Sequence, residues 1–514
     1  MKNTTLGTAS AVHRSILPAL LCTGGVCLFL CLFFGFFENA LPSVPFSVLF
    51  GLLAVGIAAL CLAVTGRMNE ARAIALLLAA GFIVRLGYVL ITDIADVPVR
   101  QHDVHFFGGS SGHAAYIEYF YKNWQLPTFD PRSIWQFYHP PLHHFLAALW
   151  IKMQTLLGIS YSAAVEGLQF LTLFYASAAI LLCKCIFAQL SLRGKPLFFA
   201  VMIVVFSPAF ILFSGSVNND ILSIVFLLAA VLSALKWYQT DSIAHLLQTA
   251  LFIGLGMMTK TSVAMVAFPV AALMLIRLCK TANRAACIRR YVLFGGIAFP
   301  LGLWWPIRNA VRFGVPFNYV PKLSYTADQY VGFRSFWERF TPFVGFGDSP
   351  TFSWEAPFEY NAWSGLFKSS AFGEFSPGNY SALTERFAGV LFFFTLAVCL
   401  ISFAAMLYTL FSGSAKHTVG KWFMAMLYVT TLISYLVFCY RFPHSCTMNI
   451  RYATPLILIG TFFTGTAMER LGQYGTKHNL RNVLSLSAYH ITAACICGFA
   501  LFSVLVYTLL GIGN

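Results

Sequence analysis

QFYHPPLHHF, from Gln136 to Phe145, sets three histidines and two adjacent prolines inside a chain otherwise built for lipid. Of its 514 residues, 59% are hydrophobic and 10% charged. A soluble domain carries roughly 25% charged residues, so the surroundings of this chain are mostly hydrocarbon. Polar residues cost free energy there, and structure must hold the 136–145 stretch in place. Pro140 and Pro141 suit the first turn of a helix, where a missing N–H costs nothing. The stretch therefore reads as the start of an amphipathic helix in a folded loop between membrane spans. Working outward, "RQHDVHFFGGSSGH" (100–113) adds three more histidines and Asp103, so half of the twelve histidines fall in one short region.

The flanking sequence predicts an all-α polytopic membrane protein with about thirteen spans, each a run of about 20 apolar residues or a shorter one. They lie near 15–37, 44–65, 72–92, 163–189, 197–214, 220–237, 245–258, 263–277, 291–309, 387–411, 422–440, 452–470 and 484–511. The seventh and eighth are short and read as two spans or as a broken or re-entrant pair. The first run is longer than the apolar region of a signal peptide and lacks a small-residue cleavage site, so it reads as a retained helix.

A formal charge of +15 invites a nucleic-acid partner. The distribution excludes one, because the basic residues are spread among short loops rather than gathered in a soluble domain. Arg67 and Arg72, Arg193 and Lys195, the group Arg277, Lys280, Arg284, Arg289 and Arg290, then Lys416 and Lys421, then Arg470, Lys477 and Arg481 occupy alternate loops. That is the positive-inside pattern, and it makes those loops cytoplasmic. The thirteen cysteines lie mostly in apolar segments, and the two long loops predicted outside contain none. No disulfide framework is expected there.

Those loops run from about 93 to 162 and from about 313 to 386. The first predicts a helix at "GHAAYIEYFYKNW", a turn at "LPTFDPRS", and the helix begun by "HPPL". The second, rich in Trp, Phe, Tyr, Gly and Ser, predicts a folded cap on the membrane surface.

Asp103 in "HDVHF" follows the third span at the membrane edge. A sheltered carboxylate there can accept a proton from a hydroxyl; a solvated loop aspartate or a helix cap is the plainer reading. His139 and His143, four apart, would share a helical face at a spacing that can hold a divalent metal, or pack under the cap, with His144 pointing away. Asp220 in "SVNNDILS" either caps the sixth span or shares a cavity with Asp103. Lys260 in "GMMTKTS" stands between two apolar segments, where it either snorkels or meets a buried anion. Arg308 in "WWPIRNAVRFGVP" and Arg451 in "CTMNIRYATP" lie at the same predicted membrane face. A guanidinium grips phosphate through parallel hydrogen bonds, although Arg308 also suits an interfacial anchor beside Trp304 and Trp305.

Taken in order, "HDVHF", the helix with Tyr116 and Ile117, "HPPL" at 139–142, "RN" with "FGVP" at 308–316 and "RYATP" at 451–455 resemble the protein O-mannosyltransferases. They are similar as well to the aminoarabinose lipid A transferases, within the GT-C glycosyltransferase clan (glycosyltransferase family 39-like). The likeness spans roughly 72 to 470, leaving the two helices of residues 1–70 and the C-terminal segment 471–514 outside a core at 71–470. It implies a GT-C bundle in a bacterial cytoplasmic membrane, with its active site facing away from the cytoplasm. It also implies a polyprenyl-phosphate-linked sugar as donor, an acceptor hydroxyl, and transfer with inversion. The family's acidic pair in the first loop falls on His102 and Asp103, of which only Asp103 keeps a carboxylate, so Asp103 becomes the expected base. The second acidic residue falls on Asp220, while Lys260, Arg308 and Arg451 would hold the donor phosphate. His105, Tyr116, His139, Pro140 and Pro141 would form the scaffold around them. A transporter or lipid flippase is the competing class, and it predicts polar residues near the midplane and on both faces. A catalytically inactive lipid-sugar-binding relative is the third possibility.

Overall fold

The computed structural model describes residues 16–37, 41, 43–94, 107–317, 319–345, 358–373, 381–412, 418–473 and 480–510, except the side chains of 480–482. Helices α1 (Leu17–Phe36), α2 (Val44–Val64) and α3 (Glu70–Ile91) come first. The first loop region holds α4 (Gly112–Asn123), α5 (Leu142–Leu156) and α6 (Tyr161–Glu166), which runs on into α7 (Leu168–Gln189). Next come α8 (Gly194–Val205), α9 (Pro208–Gly215), α10 (Asp220–Thr240) and α11 (Ile243–Thr259). A 3-10 turn, Thr261–Val266, leads into α12 (Ala267–Lys280), followed by α13 (Arg284–Phe313). The second loop region contributes α14 (Phe336–Phe340) and α15 (Ala362–Phe372). The chain closes with α16 (Ala382–Phe411), α17 (Thr418–Arg441), α18 (Pro455–Gln473) and α19 (Leu480–Leu509). Among the described residues no strand forms, and the β pairing is an isolated bridge between Tyr330 and His444.

This is a polytopic helical membrane protein with fewer clear spans than the thirteen expected. Among the described residues, ten helical segments are long and apolar enough to cross a bilayer, or eleven with α8 and α9 joined. The difference lies where helices are short or buried. α11 is one of the shorter apolar helices, and α18 is lined by buried residues from Leu458 to Met468. A helix wrapped in protein is under less demand to be apolar all round. The expected interruption between the seventh and eighth spans is real: α11 ends at Lys260, whose backbone is extended (φ −155°, ψ 124°).

A second interruption was not anticipated. α8 and α9 meet at 46°, with Pro208 starting the new helix. The bend frees carbonyls that hydrocarbon cannot satisfy. Arg85 of α3 donates to the Val205 carbonyl at 3.0 Å and Ser503 of α19 to that of Phe206 at 2.7 Å. Gly81, one turn earlier, permits this close approach of α3, because a Cβ there would collide with the Val205 side chain. The two helices outside the resemblance sit at the periphery, mostly exposed to lipid. α1 packs on α7, with the Cys31 thiol donating to Gln154 Oε1 at 3.1 Å, and α2 packs on α3.

Both loop regions gather at one end of the bundle. Trp305 Nε1 donates to the Tyr138 carbonyl at 3.0 Å, and Arg132 to that of Phe313 at 2.8 Å. The second region is stitched to the α17–α18 connection by Val331 N–H to Pro443 (2.9 Å) and Ser445 N–H to Gln329 (2.8 Å).

Candidate active site

A cavity of about 690 Å³ opens where these connections meet. Its wall includes His113, Tyr138 and His139 from the first loop region, Asn219 and Asp220 at the start of α10, and Lys260 at the α11 break. Trp305, Asn309, Tyr319, His444, Arg451 and Tyr452 complete it.

Asp220 is the first residue of α10, and it does not cap that helix through its side chain. Asn218 Oδ1 instead accepts the Asp220 N–H at 3.0 Å, and Asn219 Nδ2 donates to the Thr259 carbonyl at 3.0 Å. The Asp220 carboxylate is left for Lys260, and the two form a short ion pair with side chains 4% and 13% exposed. A carboxylate at a helix N-terminus is also favoured by the helix dipole. Lys260 thus meets a buried anion and does not snorkel. Its ammonium lies 4.9 Å from the Tyr452 ring centroid, and the Arg451 guanidinium lies 4.9 Å from the same centroid. Arg451 is set by its 3-10 turn, where Asn449 Oδ1 accepts its N–H at 3.0 Å and Ser369 of α15 accepts that of Ile450 at 2.8 Å. Lys260 and Arg451, two of the three cations expected to share a site, thus meet at the cavity wall together with Asp220.

Arg308 is placed elsewhere. Its guanidinium donates to the Pro127 carbonyl and to Asn309 Oδ1 (2.8 Å), and stacks over Trp305 at 4.8 Å. Its neighbours Trp305 and Asn309, rather than Arg308 itself, line the cavity. His102, Asp103 and His105 lie outside the described residues. The flanks of their segment are pinned by carboxylates: Ile94 N–H donates to Glu166 and Gly108 N–H to Glu118.

The expected histidine face needs correcting. α5 begins at Leu142, with Pro141 at its N-cap, so His139 precedes the helix and does not share a helical face with His143. His144 is the residue that joins the cluster. Its Nε2 lies 2.9 Å from His113 Nδ1, the two rings meeting edge to edge in nearly one plane (centroids 5.2 Å apart, planes 9° apart), and the His139 ring lies 5.4 Å from that of His113. Tyr116 and Phe137 continue the stack beyond His144. Among the described residues no group of three His, Cys, Asp or Glu side chains is placed to hold a metal ion. His143 is buried against Tyr175, and burial pushes its pKa down to about 3, with His113 adding to the fall.

The sequence profile described as dolichyl-phosphate-mannose-protein mannosyltransferase matches residues 138–305, which include His139, Asp220 and Lys260. No curated protein matches the sequence. In structure, ArnT from Cupriavidus metallidurans bound to undecaprenyl phosphate superposes with TM-score 0.50 at 12% identity, over 86% of this chain and 76% of that one. This chain has the GT-C fold. The apo form of the same ArnT gives TM-score 0.49 with the same identity and coverage. The Archaeoglobus fulgidus oligosaccharyltransferase gives 0.43 at 15% identity, over 84% of this chain and 56% of that one. Within the GT-C fold the cavity is built on connections between helices, at the end that carries both elaborated loop regions.

Proposed function

We propose that the protein is a membrane glycosyltransferase that takes a sugar from a polyprenyl-phosphate donor, with inversion, on the extracytoplasmic face. The observation that carries this reading is the convergence of Lys260 and Arg451 on one ring, beside Asp220, in a cavity roofed by loops. Such an arrangement favours an anion that gains charge as a bond breaks, as a leaving phosphate does. Asp103 takes the proton of the acceptor hydroxyl, whose oxygen attacks the anomeric carbon opposite the phosphate. Asp220 serves as the counter-ion of Lys260, and Arg451 takes the phosphate. His102 stands beside the base, at the other position of the family's acidic pair.

The sidedness rests on charge. α10 carries Asp220 at its cavity end and Asp241 just past the other, where Asp241 pairs with Arg277 (2.9 Å) and Arg290 (3.3 Å). The basic loops thus cluster away from the cavity, which the positive-inside rule assigns to the cytoplasm. A lipid flippase would need its polar groups on both faces or at the midplane, whereas the cavity's ionic groups gather at one end.

The test is turnover of polyprenyl-phosphate sugars by the purified protein in nanodiscs, read as released polyprenyl phosphate. Asp103→Asn should lower turnover by about two orders of magnitude or more and leave donor binding intact. Near-normal turnover in Asp103→Asn, with loss in Asp220→Asn, would move the base to Asp220. Absence of turnover with every donor tested would refute the enzyme reading.

A further inference from the structure

Gln136 is held in a backbone conformation that glutamine rarely adopts. Its φ is 73°, in the left-handed region that glycine enters freely and other residues enter at a cost. The flanking backbone fixes this turn: the Gly112 N–H donates to the Trp135 carbonyl at 3.1 Å, and the His139 N–H to the Gln136 carbonyl at 3.2 Å. The side chain adds a second penalty. It is 4% exposed, and among the described residues its enclosed Oε1 has no hydrogen-bond partner. A buried amide oxygen left unpaired destabilises the fold. Glycine at 136 would remove both penalties. The glutamine that stands there instead lines the cavity, and strain beside an unpaired polar group marks a place made for a ligand.

The second loop region supplies a matching group. Gln329 lines the same cavity, and its Oε1 is likewise enclosed and unpaired among the described residues. Its backbone is anchored, because its carbonyl accepts the Ser445 N–H at 2.8 Å. Tyr138 and Tyr319, one from each region, meet edge to face at 5.9 Å, and both line the cavity. Among the described lining residues the carboxylate is Asp220, and Lys260 already holds it. An ammonium on a ligand would therefore find two cations and no free anion there. A neutral amide suits a hydroxyl better. It donates at one end and accepts at the other, and a half-turn presents either end. Aromatic rings beside a few placed polar groups fit a ring of C–H and O–H groups.

We propose that Gln136 and Gln329 form a subsite that reads the hydroxyl groups of an uncharged sugar ring carried by the polyprenyl-phosphate donor. This deepens the glycosyltransferase reading and rests on it. The cavity then divides its work: Lys260 and Arg451 face the phosphate, and the two amides face the sugar. Hydroxyls that pair the enclosed amide oxygens offset the penalty those oxygens carry in the empty site.

Equilibrium binding to the protein in nanodiscs tests the subsite without requiring turnover. The probes are undecaprenyl phosphate and the same lipid carrying glucose, mannose, galactose or glucosamine. At least one neutral sugar lipid should bind more tightly than bare undecaprenyl phosphate and than the glucosamine lipid. Gln136→Gly should weaken that binding by about three- to tenfold, the worth of one neutral hydrogen bond. It should leave bare undecaprenyl phosphate unaffected and raise the melting temperature, because the backbone strain is gone. Gln329→Leu, which keeps the bulk, should give a selective loss of similar size. Equal weakening for bare and sugar-bearing lipid, or unchanged sugar affinity in both variants, would overturn the proposal and leave the amides as scaffold. Preference for the glucosamine lipid would overturn it too. Sugar-selective binding that depends on Gln136, with no turnover in the unaltered protein, would count against the glycosyltransferase reading alone.

Discussion

The ammonium of Lys260 is bound to the carboxylate of Asp220, tying the end of α11 to the start of α10 at the cavity wall. Removing one member of a buried pair strands the other charge, at a cost of about 3–5 kcal/mol. Asp220→Asn and Lys260→Met should therefore each lower thermal stability in detergent. The double variant should recover most of that loss while remaining inactive. A double variant no more stable than either single one would mean that the pair does not hold the helices together.

The two arginines should behave differently toward phosphate. Arg451 lines the cavity, whereas Arg308 is spent on the Pro127 carbonyl and Asn309. Arg451→Lys should weaken binding of undecaprenyl phosphate by about tenfold or more, since the loss of a charged hydrogen bond is worth at least about 1.5 kcal/mol. Arg308→Lys should leave that affinity nearly unchanged and expose the 124–130 segment to protease. A reversal of the two affinities would return Arg308 to the role that its sequence context implies.

Acid should destabilise the first loop region. His143 and His144 are buried with pKa values pushed below the ordinary 6.5. Below about pH 6.5 the unfolded chain binds protons that the native one refuses, so their stabilisation is complete above that pH and lost as pH falls. The melting temperature should decline between pH 7 and 5, and His143→Phe should flatten the slope. An unchanged slope in that variant would place the titration elsewhere.

Orientation can be read by labelling. With the exposed native cysteines replaced, Ser133→Cys should react with an impermeant reagent added outside intact cells, and Arg284→Cys only after lysis. Both positions are exposed. The reverse pattern would remove the charge argument and the proposed sidedness together.

Much of this was legible in the sequence because it depends on local pattern. The helix begun by "HPPL" and the break at Lys260 follow from prolines and apolar run lengths. The partner of His113 did not follow. A spacing of four residues selects His143 as the mate of His139 only if both lie on the helix, and Pro141 starts the helix too late for that. The bend between α8 and α9 was hidden for a similar reason. The apolar run from 197 to 214 is interrupted only by Pro208, and the carbonyls freed there are satisfied by Arg85 and Ser503 of other helices, which the run itself does not show. Tyr452, shared by two cations, gave no signal beyond its place next to Arg451.

That guanidinium also orders events during synthesis. Arg85 and the carbonyl it satisfies are 120 residues apart in the chain. At roughly 5–20 residues per second, α3 waits on the order of 6–24 s before α8 has been made. During that interval an arginine sits in a nascent span whose free-energy cost for it is about 2.5–3.5 kcal/mol. Only when α8 has been made does that arginine gain the Val205 carbonyl as its partner inside the bilayer.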